Sequence, residues 1–166
     1  SRVSADESAA ILHGFYSMAD RIVRANGGVI EEYVGDAILA VWSQERVKDL
    51  SALKAAQDLV SACDEFFGDE TYQADLPPLA VGVGIDYGDV LVGSFGSEHR
   101  RAYTLLGVAV SKSMRIQEMT GELAYPIILS DTVHELWASS VMMHSLGGFW
   151  LVGSQDAVEL FYPDSK

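Results

Sequence analysis

Asp36 sits in the stretch IEEYVGDAILAVW, Ile30 to Trp42, where two apolar runs are joined by Gly35 and Asp36. A two-residue Gly-Asp link between apolar runs is a common hairpin turn, chosen for its backbone angles. Such a tip also holds a carboxylate rigidly beside a sheet surface, where oxygen ligands grip hard cations. Both uses are open at this position. Ser111 and Arg115 are four residues apart, so a helix there presents both on one face. A guanidinium matches phosphate oxygens in a fixed fork, although an arginine on a helix also serves as an ordinary solvated charge. Tyr87-Gly88-Asp89 repeats the Gly-Asp pattern, and glycines at 82, 84, 88, 93 and 96 mark bulges or places where a ligand approaches the backbone. They do not make a phosphate loop, because neither GxxxxGK with Ser or Thr nor GxGxxG occurs between a strand and a helix. His13, His99, His134 and His144 are scattered without metal-ligand spacing. Cys63, the single cysteine, reads as a small buried apolar residue; it permits no internal disulfide and fits a reducing compartment.

Positioning these groups takes a core, and 166 residues of which 49% are hydrophobic can bury one. A single domain over residues 1–166 is therefore expected. Eleven Lys and Arg against 24 Asp and Glu give a formal charge of -13, which argues against binding polymeric nucleic acid. A single nucleotide stays open, since a divalent metal and one or two arginines meet a triphosphate locally. No window approaches about 18 uninterrupted apolar residues, so no membrane segment is expected. SRVSADESAA shows no basic or apolar leader pattern, and a cytoplasmic location is expected. Ser4 and Glu7 form a capping box before Ile11, Phe15, Met18, Ile22 and Val23 at helical spacing, and Asn26-Gly27-Gly28 ends that helix. Strands over 29–34 and 37–42 follow, then a helix over 47–67 with Leu50, Leu53, Ala56, Leu59 and Val60 on one face. A polar loop ending in Pro77-Pro78 leads to two strands around Tyr87-Gly88-Asp89. The remaining elements are a helix over 109–120, a strand over 125–129, a helix over 131–138, and strands over 141–146 and 157–162. The order αββαββαβαββ predicts an α+β fold, a mainly antiparallel sheet with helices packed on it and both Gly-rich hairpins in that sheet.

Taken together, NGGVIEEYVGDAILAVW, VGVGIDYGDVLVGSFGSEHRRAYTLLGVAV, Arg115 and LGGFWLVGSQDAVELFY follow one order at one spacing. In that arrangement the chain resembles the catalytic domain of the class III adenylate and guanylate cyclases over nearly all of residues 4–162. The resemblance implies the ferredoxin-like palm of that family and ring closure of a nucleoside triphosphate, in which the ribose 3′-oxygen attacks the α-phosphorus and pyrophosphate leaves. It implies two metal ions, Mg²⁺ or Mn²⁺, held by two aspartates. Asp36 takes the place of the second. The first belongs on a strand ahead of the first helix, so this domain is expected to lack its first strand. Arg115 takes the place of the arginine that neutralises charge on the α-phosphate. Ser111 stands where an asparagine orients the ribose.

Glu32 and Thr104 occupy the base-reading positions. Adenylate cyclases usually carry Lys there with Asp or Thr, and guanylate cyclases Glu with Cys. A glutamate accepts hydrogen bonds from guanine's N1 and amino group, so Glu32 leans toward guanine, while Thr104 fits a variant bacterial adenylate pattern or neither. The resemblance further implies a homodimer, the metal aspartates of one chain facing the base-reading residues and arginine of the other. Two departures stand out: Leu151-Val152-Gly153 where the family often has Leu-Lys-Gly, and Gly107-Val108 where Gly-Asp is typical. Two functions follow. Asp36 and Arg115 favour an active cyclase in intracellular signalling with an altered pocket. Glu32, Ser111 and Val152 favour an inactive domain that binds a nucleotide or a partner and regulates.

Overall fold

The computed structural model describes residues 4–68 and 80–164, and the chain divides between Val81 and Gly82 into two compact units. The loop expected to end in Pro77-Pro78 lies outside the described residues.

The first unit opens with α1 (Ala5–Ala25), started by the capping box expected from the sequence. The Ser4 hydroxyl accepts from the Glu7 N–H at 3.2 Å, and the Glu7 carboxylate accepts from the Ser4 N–H at 2.8 Å. Phe15, Met18, Ala19 and Val23 form its buried face. Gly27, at φ +71°, ends the helix in the left-handed region. Strands β1 (Val29–Val34) and β2 (Ala37–Val41) then pair antiparallel. Trp42 ties them to the end of α1 by donating from its indole to the Asn26 carbonyl at 2.9 Å.

A 3-10 turn (Gln44–Asp49) precedes α2 (Ser51–Gly68), so the helix expected from residue 47 begins at 51. Leu50 breaks the run with φ +59°, and the Asp49 carboxylate accepts from the Ser51 N–H at 3.0 Å, anchoring a fresh helix start. Leu53, Ala56, Leu59 and Cys63 are buried on α2. Asn26 reaches Asp58 at 3.0 Å, fastening the end of α1 to α2.

The second unit contains β3 (Val83–Ile85), β4 (Leu91–Gly96), β5 (Arg101–Leu106), α3 (Val108–Leu123), β6 (Ile127–Ser130), α4 (Asp131–Trp137), β7 (Met143–Phe149) and β8 (Val158–Pro163). Its main sheet runs β3-β6-β8-β7, with β3 parallel to β6 and the other pairs antiparallel. β6 is buried along its whole length, as a central strand read as IILS should be. Ile116 of α3 joins Ile128, Leu151, Val158 and Leu160 in the core. Helix α3 lies directly on β3: a Cβ on Gly84 would stand 2.4 Å from the Gln117 N and the Ser113 carbonyl oxygen.

The α+β class is as expected, and two details of the arrangement are not. The segments around Tyr87-Gly88-Asp89 are not a hairpin, because β3 pairs with β6 and β4 pairs with β5. Nor do these two glycine-rich strands share one sheet, since β3 lies in the four-stranded sheet and β4 in a two-stranded ribbon with β5. β5 is largely exposed and carries no buried alternation of the kind that identifies a strand in sequence. β5 was therefore invisible. Among the described residues no helix is long and apolar enough to cross a membrane.

Candidate functional site

Val34 pairs with Ala37, leaving Gly35 and Asp36 as a two-residue loop. Gly35 takes φ +61° and Asp36 does not take a positive φ, the pattern of a II′ turn that follows the twist of the flanking strands. The tip is fixed from α1. The Tyr16 hydroxyl donates to the Gly35 carbonyl, and the Tyr16 ring packs on Tyr33 with centroids 4.4 Å apart. Asp36 is exposed on this braced tip. Glu32 lies four residues earlier on β1, opposite Leu39 and half-buried. The register shifts between Ile30 and Glu32, so Glu31 is the extra residue of a bulge, a device that re-aims the side chains after it.

In the second unit, Thr104 lies on β5 opposite Gly93, half-buried, and β5 runs through Gly107 into α3. Ser111 and Arg115 are both exposed, one turn apart, while Ile116 and Thr120 of the same helix are buried. The Arg115 guanidinium donates to both oxygens of Glu118 at 3.0 and 2.9 Å. With the two side chains 46% and 58% exposed, this pair is weak and readily exchanged for another anion. Glu32 and Asp36 thus belong to one strand and turn of the first unit. Thr104, Ser111 and Arg115 belong to one strand–helix connection of the second.

Val108 and Val152, where the family typically carries charge, are 82% and 81% exposed. Leu151, by contrast, anchors its turn in the core. Both valines therefore stand in solvent where a charge would be welcome, and neither is compensated by burial.

A cluster with no precedent in the sequence reading surrounds Asp86, just past β3. One Asp86 oxygen accepts from Ser130 at 2.5 Å and from Thr132 at 2.6 Å, and lies 3.6 Å from the Lys112 ammonium. Lys112 in turn donates to Asp131 at 2.8 Å. The Asp86 side chain is only 3% exposed. Its one sequence signal was an acidic residue closing an apolar strand, which reads equally well as a loop residue. Cys63 is 1% exposed, and burial pushes its thiol up to about 11, as expected of an inert core residue.

Among the described residues no group of three or more His, Cys, Asp or Glu is arranged to hold a metal ion. Asp36 by itself suits a hard cation: it is an exposed carboxylate on a rigid turn. It supplies one ligand and not a full coordination shell.

The adenylate and guanylate cyclase catalytic domain family matches the chain over residues 1–162. An adenylate cyclase of Anabaena cylindrica is 30% identical over 125 residues, which cover 74% of this chain and 24% of that protein's length. The adenylyl cyclase CyaB from P. aeruginosa shares the fold at a TM-score of 0.86 and 21% identity, over 99% of this chain and 86% of that one. The guanylyl cyclase Cya2 gives a TM-score of 0.77 at 26% identity, over 97% of this chain and 82% of that one. With its motifs, its α+β fold and a match along nearly its whole length, the chain belongs to the adenylate and guanylate cyclase catalytic domain family.

Proposed function

We propose that residues 1–166 act as one nucleotide cyclase domain, binding ATP or GTP in the cytoplasm and closing it to the 3′,5′-cyclic nucleotide. One observation supports this above the others. All five positions expected to meet the nucleotide, Glu32, Asp36, Thr104, Ser111 and Arg115, lie outside the buried core on elements that are otherwise firmly held. In the reaction the ribose 3′-oxygen forms a bond to the α-phosphorus, the bond from that phosphorus to the β-phosphate oxygen breaks, and the hydroxyl proton is lost. Arg115, released from Glu118, would meet the charge growing on the α-phosphate with two parallel donors. Ser111 would touch the ribose through a short hydroxyl. Glu32 and Thr104 would read the base edge. Asp36 would hold Mg²⁺ or Mn²⁺, which when bound neutralises triphosphate charge and lowers the pKa of the attacking hydroxyl.

The functional unit in this reading is a homodimer. Its support is the β4-β5 ribbon, which exposes Leu91 and Leu106 on one face and Val92 and Tyr103 on the other. A second reading, an inactive domain that binds nucleotide and regulates, is favoured by Val108 and Val152. Calorimetric titration with non-hydrolysable ATP and GTP analogues in Mn²⁺, followed by a cyclic nucleotide assay, separates the cases. Binding weakened by Arg115→Ala, with slow but detectable turnover, is the expected result, whereas binding without turnover would select the regulatory reading. Strong turnover would exclude the regulatory reading, and failure to bind either triphosphate would exclude both.

A further inference from the structure

Lys112 is the neighbour of Ser111 and three residues before Arg115, yet it points into the unit: its side chain is 16% exposed, against 46% for Arg115. There its ammonium lies between two carboxylates from different elements. Asp86, at the end of β3, is 3.6 Å away, and Asp131, the first residue of α4, is 2.8 Å away. Asp86 is in turn held by hydroxyls of Ser130 and Thr132. Burying a carboxylate this deeply is costly unless donors and a cation surround it, and those are present. The cluster ties α3 to the end of β3 and the start of α4, so its part is to fix α3.

The backbone shows why α3 needs fixing. Its middle is seated on β3 through glycine: Gly84 beneath Ser113 and Gln117, and Gly82 beneath Thr120. Ile116 and Thr120 hold the middle and end of the helix by burial, whereas none of Val108 to Ser111 is buried, so the start of the helix is the part left free to turn. A turn of about 20° moves a side-chain tip some 5–6 Å from the axis by about 2 Å. Displacements on the order of 1 Å at a reacting centre can cost about a hundredfold in rate. A polar anchor at Lys112, just past the first turn, stops that rotation.

We infer that Lys112, gripped between Asp86 and Asp131, is a positioning residue that sets the rotation of α3 and so aims Arg115 and Ser111. The inference rests on the reading of α3 as the phosphate-facing helix. The test is a double-mutant cycle on the 166-residue chain, read as affinity for non-hydrolysable ATP and GTP analogues in Mn²⁺, with melting temperatures alongside. Lys112→Met is expected to weaken binding about tenfold. In the Arg115→Ala background the same change should add almost nothing, because there is no guanidinium left to aim. Lys112→Arg should recover most of the affinity. Should Lys112→Met not fold by circular dichroism, Asp131→Asn replaces it in the cycle, since it loosens the half-exposed end of the anchor and keeps the start of α4. A purely structural role gives losses that multiply in the double variant, or none beyond a lower melting temperature, and either outcome overturns the positioning role alone. If the unaltered chain binds neither analogue, the nucleotide reading itself fails and the positioning role with it.

Discussion

Asp36 and Glu32 share a strand and a turn, yet in the proposed function they ask different questions of a ligand, one about charge and the other about hydrogen-bond pattern. Asn in place of Asp36 keeps the turn chemistry and removes the negative charge. Mn²⁺ affinity of Asp36→Asn should fall at least about tenfold, with stability within roughly 0.5 kcal/mol of the parent. Unchanged Mn²⁺ affinity by titration would leave Asp36 a turn former only. Glu32 facing adenine's N1 sets two acceptors against each other, a mismatch costing on the order of 1–3 kcal/mol. GTP should therefore compete at least equally with ATP, and Glu32→Lys should shift preference toward ATP. Pronounced ATP selectivity that survives the substitution contradicts this role. The Gly35-Asp36 turn was readable because its signal is one dipeptide between two paired apolar runs. Asp86 was not: its partners Lys112, Ser130 and Thr132 come from 26 to 46 positions along the chain, and only folding gathers them.

At the level of elements, glycine does two jobs that sequence does not distinguish. Gly35 has open space around a built Cβ but sits at φ +61°, so Gly35→Ala should cost about 1–2 kcal/mol through backbone strain. Gly84 is free of that strain, yet any Cβ meets helix backbone at 2.4 Å. Gly84→Ala must lift α3 off β3, at an expected cost of about 1–3 kcal/mol, and should also weaken triphosphate binding. Chemical denaturation of the two variants beside nucleotide titration checks the contrast; equal binding losses from both would refute it. Local signals carried most of the element order: the Ser4 cap, the Gly35-Asp36 turn and the buried stripe of α1 all sit within a few residues. Pairing was harder. β3 and β4 look like one hairpin in sequence because five residues part them, but β3 finds its partner in β6, more than 40 residues on. The α2 start slipped from 47 to 51 because the Asp49–Ser51 contact outweighs an apolar stripe that continues back to Leu50.

For the molecule as a whole, charge and apolar surface pull in opposite directions. Each chain carries a formal charge of -13, so two copies repel. The β4-β5 ribbon nonetheless exposes Leu91 at 61%, and Leu91 pairs directly across the ribbon with Leu106, exposed at 47%. Burying that face against a second copy would return about 25 cal/mol for each Å² removed from water. A weak dimer is the expected balance, seen by sedimentation at tens of micromolar. Salt decides what holds it. Since the Debye length shrinks from about 10 Å at 0.1 M to about 3 Å at 1 M, added salt screens the repulsion and leaves the apolar contact intact. Dimerisation should therefore tighten as salt rises. Leu91→Lys should bring the chain toward monomer while leaving its melting temperature nearly unchanged, because Leu91 is exposed within the single chain. A dimer that loosens with salt would be held by opposite charges instead of the ribbon, and a strict monomer at every salt concentration would rule out self-association.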